Sequence, residues 1–471
     1  QAIPVFLKAA DILVLPNRSE SLISSRYTSP LKLFEYMAAG RPIIASDLPS
    51  IREILDQDTG VLIDPGNPQA LADAVTGLLR DGYRSEALAQ AALRKVQEYS
   101  WDIRARHILE FIDKPKALCV GILTHTMDPR TGWGRYASEL VAGLRKKGFI
   151  VRVLKEHPDS SEGVPILRRG KEMLSAFWQA KTVLNDCDII HALDVYPYGI
   201  IGWLVSLWIR KPLVITAQGT YSIAPFFNIK TRWLSVRACR HATRVTAVSN
   251  FTYNALAKET GISKGSVILH GIALEKFLQV HDPVSDNFIL SVGALKWRKG
   301  YHISIPAFAT VRKKFPNLRY IIVGDQGDRH YLEKLQALLH THNVVDAVEF
   351  KSKIDEETLA LFYRTAQAFL LTSINQNYHV EGFGLVFLEA AAAGLPVIGT
   401  LDNGIEDAVN NGYNGFLVPQ SDISATAKAL ENILANPELW VTMSNAGYAW
   451  ARAHDLPRVV DEYITVYRQI S

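Results

Sequence analysis

Sulfur is scarce in this chain: 3 cysteines and 4 methionines among 471 residues. Cys119, Cys187 and Cys239 are too few for a disulfide scaffold and fit a reducing compartment. No window reaches about 18 uninterrupted apolar residues, so no transmembrane helix is expected. The nearest run, 196–209, is uncharged for 14 positions between Asp194 and Arg210, a length that suits a buried helix. The chain begins at Gln1 rather than Met and shows no signal-peptide pattern. Cys-x-x-Cys and His-Glu-x-x-His are both missing, and the aspartates do not cluster as a magnesium motif. No nucleic-acid-binding motif is found either. The expectation is a cytoplasmic protein without a metal or a nucleic-acid partner.

What is present is core-forming material. Apolar residues make up 48% of the chain and charged ones 21%, enough for several cores; at roughly 150 residues per domain the length suits about three. The net charge of +4 is unevenly spread: residues 117–283 carry 21 Lys+Arg against 12 Asp+Glu, a net +9, leaving −5 elsewhere. That asymmetry fits an anionic partner on this part and equally a solvated basic surface.

Self-comparison shows one module twice. Leu33-Phe34-Glu35-Tyr36-Met37-Ala38-Ala39-Gly40 returns 354 residues later as Phe387-Leu388-Glu389-Ala390-Ala391-Ala392-Ala393-Gly394. The runs 60–63 and 415–418, and 10–15 and 366–371, also resemble each other. The first copy is cut: it matches only the back of the second copy's last domain, a pattern that fits a fusion and a piece of a longer chain alike. Strand candidates in the second copy are continuous Val/Ile/Leu/Phe runs at 117–123, 149–154, 188–191, 213–216, 245–248 and 267–269. After a break at 282–287 come 288–292, 318–323, 348–350, 368–371, 396–398 and 416–418. Runs without alternation are those of buried parallel strands. Alternated with helical stretches, they predict α/β folding: a truncated unit over 1–113, then doubly wound domains over 114–284 and 285–471. Ligands of such sheets sit at the carboxyl ends of the strands, here the cleft between the two domains.

The stretch that carries chemistry is Glu381-Gly382-Phe383-Gly384-Leu385, followed by an Ala-rich helix expected to start near 384 and stop at Gly394. Gly382 and Gly384 bare N–H groups at a helix start, where free donors and the positive end of the dipole suit a diphosphate. Glu389 lies five residues in, roughly 7.5 Å along the axis, a plausible reach from a diphosphate to its ribose. A carboxylate there accepts from both ribose hydroxyls, at about 1.5–3 kcal/mol per charge-assisted bond. Glu381 stands on the far side of the phosphates, where the sugar of a nucleotide-sugar lies.

Glu381 and Glu389, with the Gly-x-Gly start and Gly-x-Pro stop between and after them, resemble the Glu-x7-Glu signature of family 4 glycosyltransferases ("glycosyl transferases group 1"). The resemblance covers about residues 117–471. It implies the GT-B architecture, two facing Rossmann-like domains, and retaining, metal-independent transfer of a hexose-type sugar from a nucleotide-sugar donor, with no further cofactor. It also implies that Glu389 binds ribose, that Glu381 lies near the donor sugar, and that the amides of Gly382, Phe383, Gly384 and Leu385 meet diphosphate and sugar. A basic turn at 291–300 matches the family's in Gly293 and Lys299. Where the family has a basic residue, this chain has Ala294, and Arg298, in preference to Lys296, is expected to supply that charge. Arg298 and Lys299 would clamp the leaving pyrophosphate. Gly132 and Gly134, after the first strand, resemble the family's glycine-rich loop on the acceptor side; a plain turn is the alternative. Gln218 stands where the family has a histidine against the donor sugar. An amide there hydrogen-bonds a hydroxyl but carries no proton charge. His270 is expected as a turn residue. Gly324 is expected near the nucleotide base, with Asp325 beside it there or as a helix cap.

In the truncated copy Glu35 matches Glu389 and is the candidate nucleotide-binding carboxylate, but Tyr27 stands where Glu381 does, after which Ser29-Pro30-Leu31-Lys32 follows. With half a cleft this piece is expected to be inert. Lys230, Arg232, Trp233, Arg237, Arg240, His241 and Arg244 mix bases with an indole, as a peripheral helix on anionic lipid or a solvated flank. The first reading implies a lipid-linked acceptor at the inner face of the plasma membrane. Polysaccharide or glycolipid synthesis is the expected setting. Rivals are a non-catalytic nucleotide-sugar-binding scaffold, favoured by Ala294 and Gln218, and a GT-B epimerase or phosphorylase. The sequons at Asn17 and Asn250 are read as chance.

Overall fold

The computed structural model describes residues 2–17, 31–112, 117–277 and 287–471. The chain divides into two compact units, one through Lys116 and one from Ala117. Tyr27, Ser29, Pro30 and the 282–286 break lie outside the described residues, as do Arg18 and Ser19 of the first sequon.

The first unit holds a three-stranded parallel sheet, β1 (Leu13–Leu15), β2 (Ile43–Ser46) and β3 (Val61–Ile63), paired in that order. The helix Leu31–Ala38 buries Leu33 and Met37 against Ile43, Ile51 and Leu55. Its bounds lie 354 residues before those of the helix Leu385–Ala392, and β2 stands at the same interval before β14 (Val397–Thr400). Glu35 is exposed on this helix.

The second unit has two six-stranded parallel sheets. One contains β4 (Cys119–Thr124), β5 (Ile150–Lys155), β6 (Ile189–Ala192), β7 (Leu213–Ala217), β8 (Arg244–Ala247) and β9 (Gly265–Val267), in the order β5-β4-β6-β7-β8-β9. The other contains β10 (Phe288–Val292), β11 (Arg319–Val323), β12 (Val348–Lys351), β13 (Ala368–Leu370), β14 and β15 (Gly415–Val418), in the order β12-β11-β10-β13-β14-β15. The strand order reverses beside β4 in one sheet and beside β10 in the other. The loops that leave β10 and β13 therefore diverge and open a crevice between them, where a ligand fits. The charged segment at 319–323 and the uncharged one at 288–292 are equally at home as strands, because both pair on two sides and bury nearly every side chain.

One boundary differs from expectation. Residues 285–471 do not all serve the second sheet: the last helix, Leu456–Ile470, packs into the core of the first. The reason is polar as well as apolar. His191 is buried within the first sheet and bonds Tyr467 (2.7 Å) and Thr216 (2.6 Å), while Tyr136 bonds Tyr463 (2.6 Å). Burial pushes the His191 imidazole down to about 3, so it stays neutral and needs neutral partners. The apolar run at 196–209 forms the helix Ile200–Ile209, and among the described residues no helix is long and apolar enough to cross a membrane.

Candidate active site

The helix Leu385–Ala392 starts where predicted. Gly384 sits at its N-cap with φ +86, a left-handed conformation that costs a side-chain-bearing residue dearly. No side chain caps this end. Among the described residues the amides of Gly382, Phe383 and Gly384 find no acceptor, so the helix start presents unpaired donors with the dipole behind them.

Glu381 precedes this cradle and is held from the loop after β10. Lys299 Nζ lies 2.7 Å and Arg298 Nη1 3.0 Å from Glu381 Oε2, and Ser373 donates to the same oxygen at 3.2 Å. Burial alone would raise the Glu381 carboxyl, but Lys299 and Arg298 outweigh it and hold it down to about 2. Burial pulls the Lys299 ammonium down, and Glu381 opposes that. Lys296 is exposed, and the cations that bond Glu381 are Arg298 and Lys299. Gly293 and Gly324 end adjacent strands: Gly293 donates to Val323 (2.8 Å) and Gly324 to Lys351 (2.9 Å). Asp325 is not a helix cap; its carboxylate accepts from Gly327 N, and Asp328 caps the following helix instead.

Acidification tests the Glu381 cluster. Its folded pKa is depressed, so its contribution is present above the ordinary carboxyl pKa of 4.5 and is lost as pH falls toward about 2. Glu381→Gln is expected to be less stable than the wild type at pH 7, with the gap closing between pH 4.5 and 2. Urea titrations across that range measure it; a gap independent of pH would refute the assignment.

Glu389 faces the other sheet's domain and is buried. One carboxylate oxygen bonds Arg135, from the helix Gly132–Lys146, and the other accepts from Tyr363 at 2.8 Å. Arg135 also lies 3.7 Å from Glu356. Sequence reasoning passed over Arg135, although a cation in the first turn of a helix opposes the dipole and signals an anionic partner elsewhere. The loop before that helix forms its cap. The Gly134 amide donates to Thr131 Oγ1 (3.0 Å) as a helix cap, so it is not free for a phosphate, and Gly132 is exposed. The loop's contribution to the cleft is Arg135.

The cleft is closed over the cradle. A Cβ on Gly382 would stand 2.0 Å from Gln218 O, a contact only glycine permits. Thr252 Oγ1 donates to Gly382 O (3.2 Å), Thr220 Oγ1 to Val380 O (3.1 Å), and Asn250 holds Asp407 with main chain and side chain, both at 2.7 Å. The Asn250 sequon is thus part of this seam. His270 lies outside the helices and strands and is buried: its ring is wedged between Tyr136 (4.5 Å) and Phe383 (5.2 Å), and burial pushes it down to about 3. Gln218 Nε2 is enclosed without a hydrogen-bond partner among the described residues. Behind it, Ser222 bonds both the Gln218 amide and Asp194, whose carboxyl burial raises to about 7.

On the same side of the cleft, at the ends of β4 and β5, Glu156 gathers His125 (3.0 Å), Arg169 and Tyr198, beneath the rings of Trp133 and Tyr221. Glu156, His125, Arg169 and Tyr198 were not visible as a motif, since they come from separate segments.

Residues 275–450 match a family model described as glycosyl transferases group 1, and residues 130–276 one described as glycosyltransferase family 4. The chain belongs to the group 1, family 4 glycosyltransferases. A further group 1 model matches residues 1–81 of this glycosyltransferase. It is 28% identical over 337 residues to the capsular polysaccharide biosynthesis glycosyltransferase CapM of Staphylococcus aureus, covering 64% of this chain and 85% of that one. It is 28% identical over 271 residues to a GDP-mannose-dependent phosphatidylinositol monomannoside mannosyltransferase of Mycolicibacterium smegmatis, covering 53% and 70%. Anabaena HepE, solved in complex with UDP-glucose, shares its GT-B fold with TM-score 0.63 at 18% identity, over 74% of this chain and all of that one.

Proposed function

We propose that residues 117–471 of this glycosyltransferase move a sugar from a nucleoside diphosphate donor to an acceptor hydroxyl, with the anomeric configuration retained and without a metal, in polysaccharide or glycolipid assembly. The observation that carries this reading is the set of unpaired amides at Gly382–Gly384 on a helix start, with Glu389 inward and Arg298 and Lys299 opposite. The amides receive the diphosphate, and Glu389 exchanges Arg135 for the ribose hydroxyls. Gln218 offers its unpaired N–H to the donor sugar. As the acceptor oxygen bonds to the anomeric carbon, the bond to the diphosphate breaks, and its electron pair leaves with the phosphate. That phosphate takes the acceptor's proton, while Arg298 and Lys299 balance its charge. The closed cleft excludes water from this step and must open to admit donor.

A thermal-shift panel of UDP-, GDP- and ADP-sugars on the full chain tests donor binding. A cognate donor at about 100 times its Kd adds about 2.7 kcal/mol of stability. Nucleoside diphosphate should then be released only when acceptor is present. A shift without such release would favour a binding scaffold, and release or conversion without acceptor an epimerase.

A further inference from the structure

Three helices lie side by side on one face of the first sheet of the second unit: Met173–Leu184, Ile200–Ile209 in the middle, and Ile229–His241. Their inner sides pack on the sheet, but their outer side is unusually apolar. Leu174, Trp178, Leu207 and Trp208 are 67%, 50%, 51% and 57% exposed. The two indoles meet edge to face at 5.6 Å, with the buried Phe177 ring against both. Lys181 Nζ lies over both, 5.1 Å from Trp178 and 4.1 Å from Trp208. On the third helix Ile229 and Trp233 are also exposed, with Arg237 over the Trp233 ring at 5.4 Å. The three helices carry Lys181, Lys230, Arg232, Arg237 and Arg240, and not one Asp or Glu. The nearest acids are neutralised from outside or within the face: Glu172 by Arg168, Asp186 by Arg152, and Glu259 by Arg232.

We propose that this face docks on an anionic lipid bilayer, with Trp178, Trp208 and Leu174 seated at headgroup depth. Indoles favour that depth because their rings are apolar and their N–H is polar. Lys181 suits the same place, its stem along the rings and its ammonium at phosphate level. Bases without acids give the surface one sign, which anionic lipid complements. A folded protein partner would have to desolvate those cations, whereas lipid phosphates meet them at the water boundary. The sequence pointed only to the basic segment at 230–244; the Trp178–Trp208 pair, the sharper feature, arises from the packing of two helices separated by β6. Docking stands on these residues alone, and rests on the proposed function only in its purpose, presentation of the cleft to a lipid-linked acceptor.

Flotation of the full chain with vesicles tests this. Binding is expected to vesicles of phosphatidylcholine containing roughly a third phosphatidylglycerol, not to phosphatidylcholine alone, and to weaken as salt rises. The double variant Trp178→Ser, Trp208→Ser is expected to lose binding by about tenfold or more, with an unchanged donor-induced thermal shift. Absence of wild-type flotation overturns the proposal, as does a double variant that floats normally. Self-association without lipid, abolished by the same variant, would assign the face to a second copy instead. Failure of flotation with donor binding intact refutes docking alone; loss of donor binding with flotation intact refutes the proposed function alone.

Discussion

Glu389→Ala is expected to raise the donor KM by about 100-fold while kcat falls much less. Two charge-assisted bonds to ribose are worth about 1.5–3 kcal/mol each, but the free protein already satisfies this carboxylate with Arg135 and Tyr363. Donor binding therefore gains only the difference, which at about 2.7 kcal/mol corresponds to 100-fold. Glu389→Gln keeps the shape and loses the charge, so a smaller rise, about tenfold, is expected. Arg135→Leu separates the two roles of Glu389. Without Arg135 the carboxylate is unclasped, so the donor KM should stay level or fall, although the buried carboxylate then costs stability, about 3–5 kcal/mol. Initial-rate kinetics on the three variants decide. Equal increases in KM for Arg135→Leu and Glu389→Ala would mean that the pair only holds the domains together.

Lys299→Ala is expected to reduce kcat by about 100- to 1000-fold with little change in donor KM, the signature of a group that acts on charge developing in the transition state. Arg298→Ala should cost less, because Arg298 is the more exposed of the two and bonds Glu381 at the longer distance. Both effects pass through Glu381, which shares one oxygen with the two cations. In the proposed function a diphosphate gives the cations a second anion and leaves Glu381 to accept from a sugar hydroxyl. Single-turnover measurements with saturating donor isolate this step. A Lys299→Ala variant with normal single-turnover rate would remove Lys299 from the chemistry.

Some of this site was legible in the chain. Gly382, Gly384 and Gly394 bracket the helix, because a left-handed N-cap and a close main-chain crossing both select glycine. The adjacent bases Arg298 and Lys299 were legible as a pair, since one short turn after β10 carries both. The Gly132–Gly134 loop was legible as a turn that opens a helix, but not its cap: Thr131, three residues away in the same chain, takes the Gly134 amide. The burial of His270 was not legible for a similar reason: its neighbours in sequence say only that the chain turns there, while the rings that enclose it, Tyr136 and Phe383, come from both domains.

The amino-acid sequence by itself determined the strand and helix succession, the repeat at 354 residues, and the identity of the helix that offers its amides. These are local properties: continuous apolar runs, glycine conformations and the spacing of two glutamates along one segment. Only the tertiary structure decided who satisfies Glu389, how the cleft is sealed, and that the last helix returns to the first sheet. Those depend on contacts between residues far apart in the chain, such as Arg135 with Glu389 and His191 with Tyr467, whose energies come from burial and charge that no local window contains.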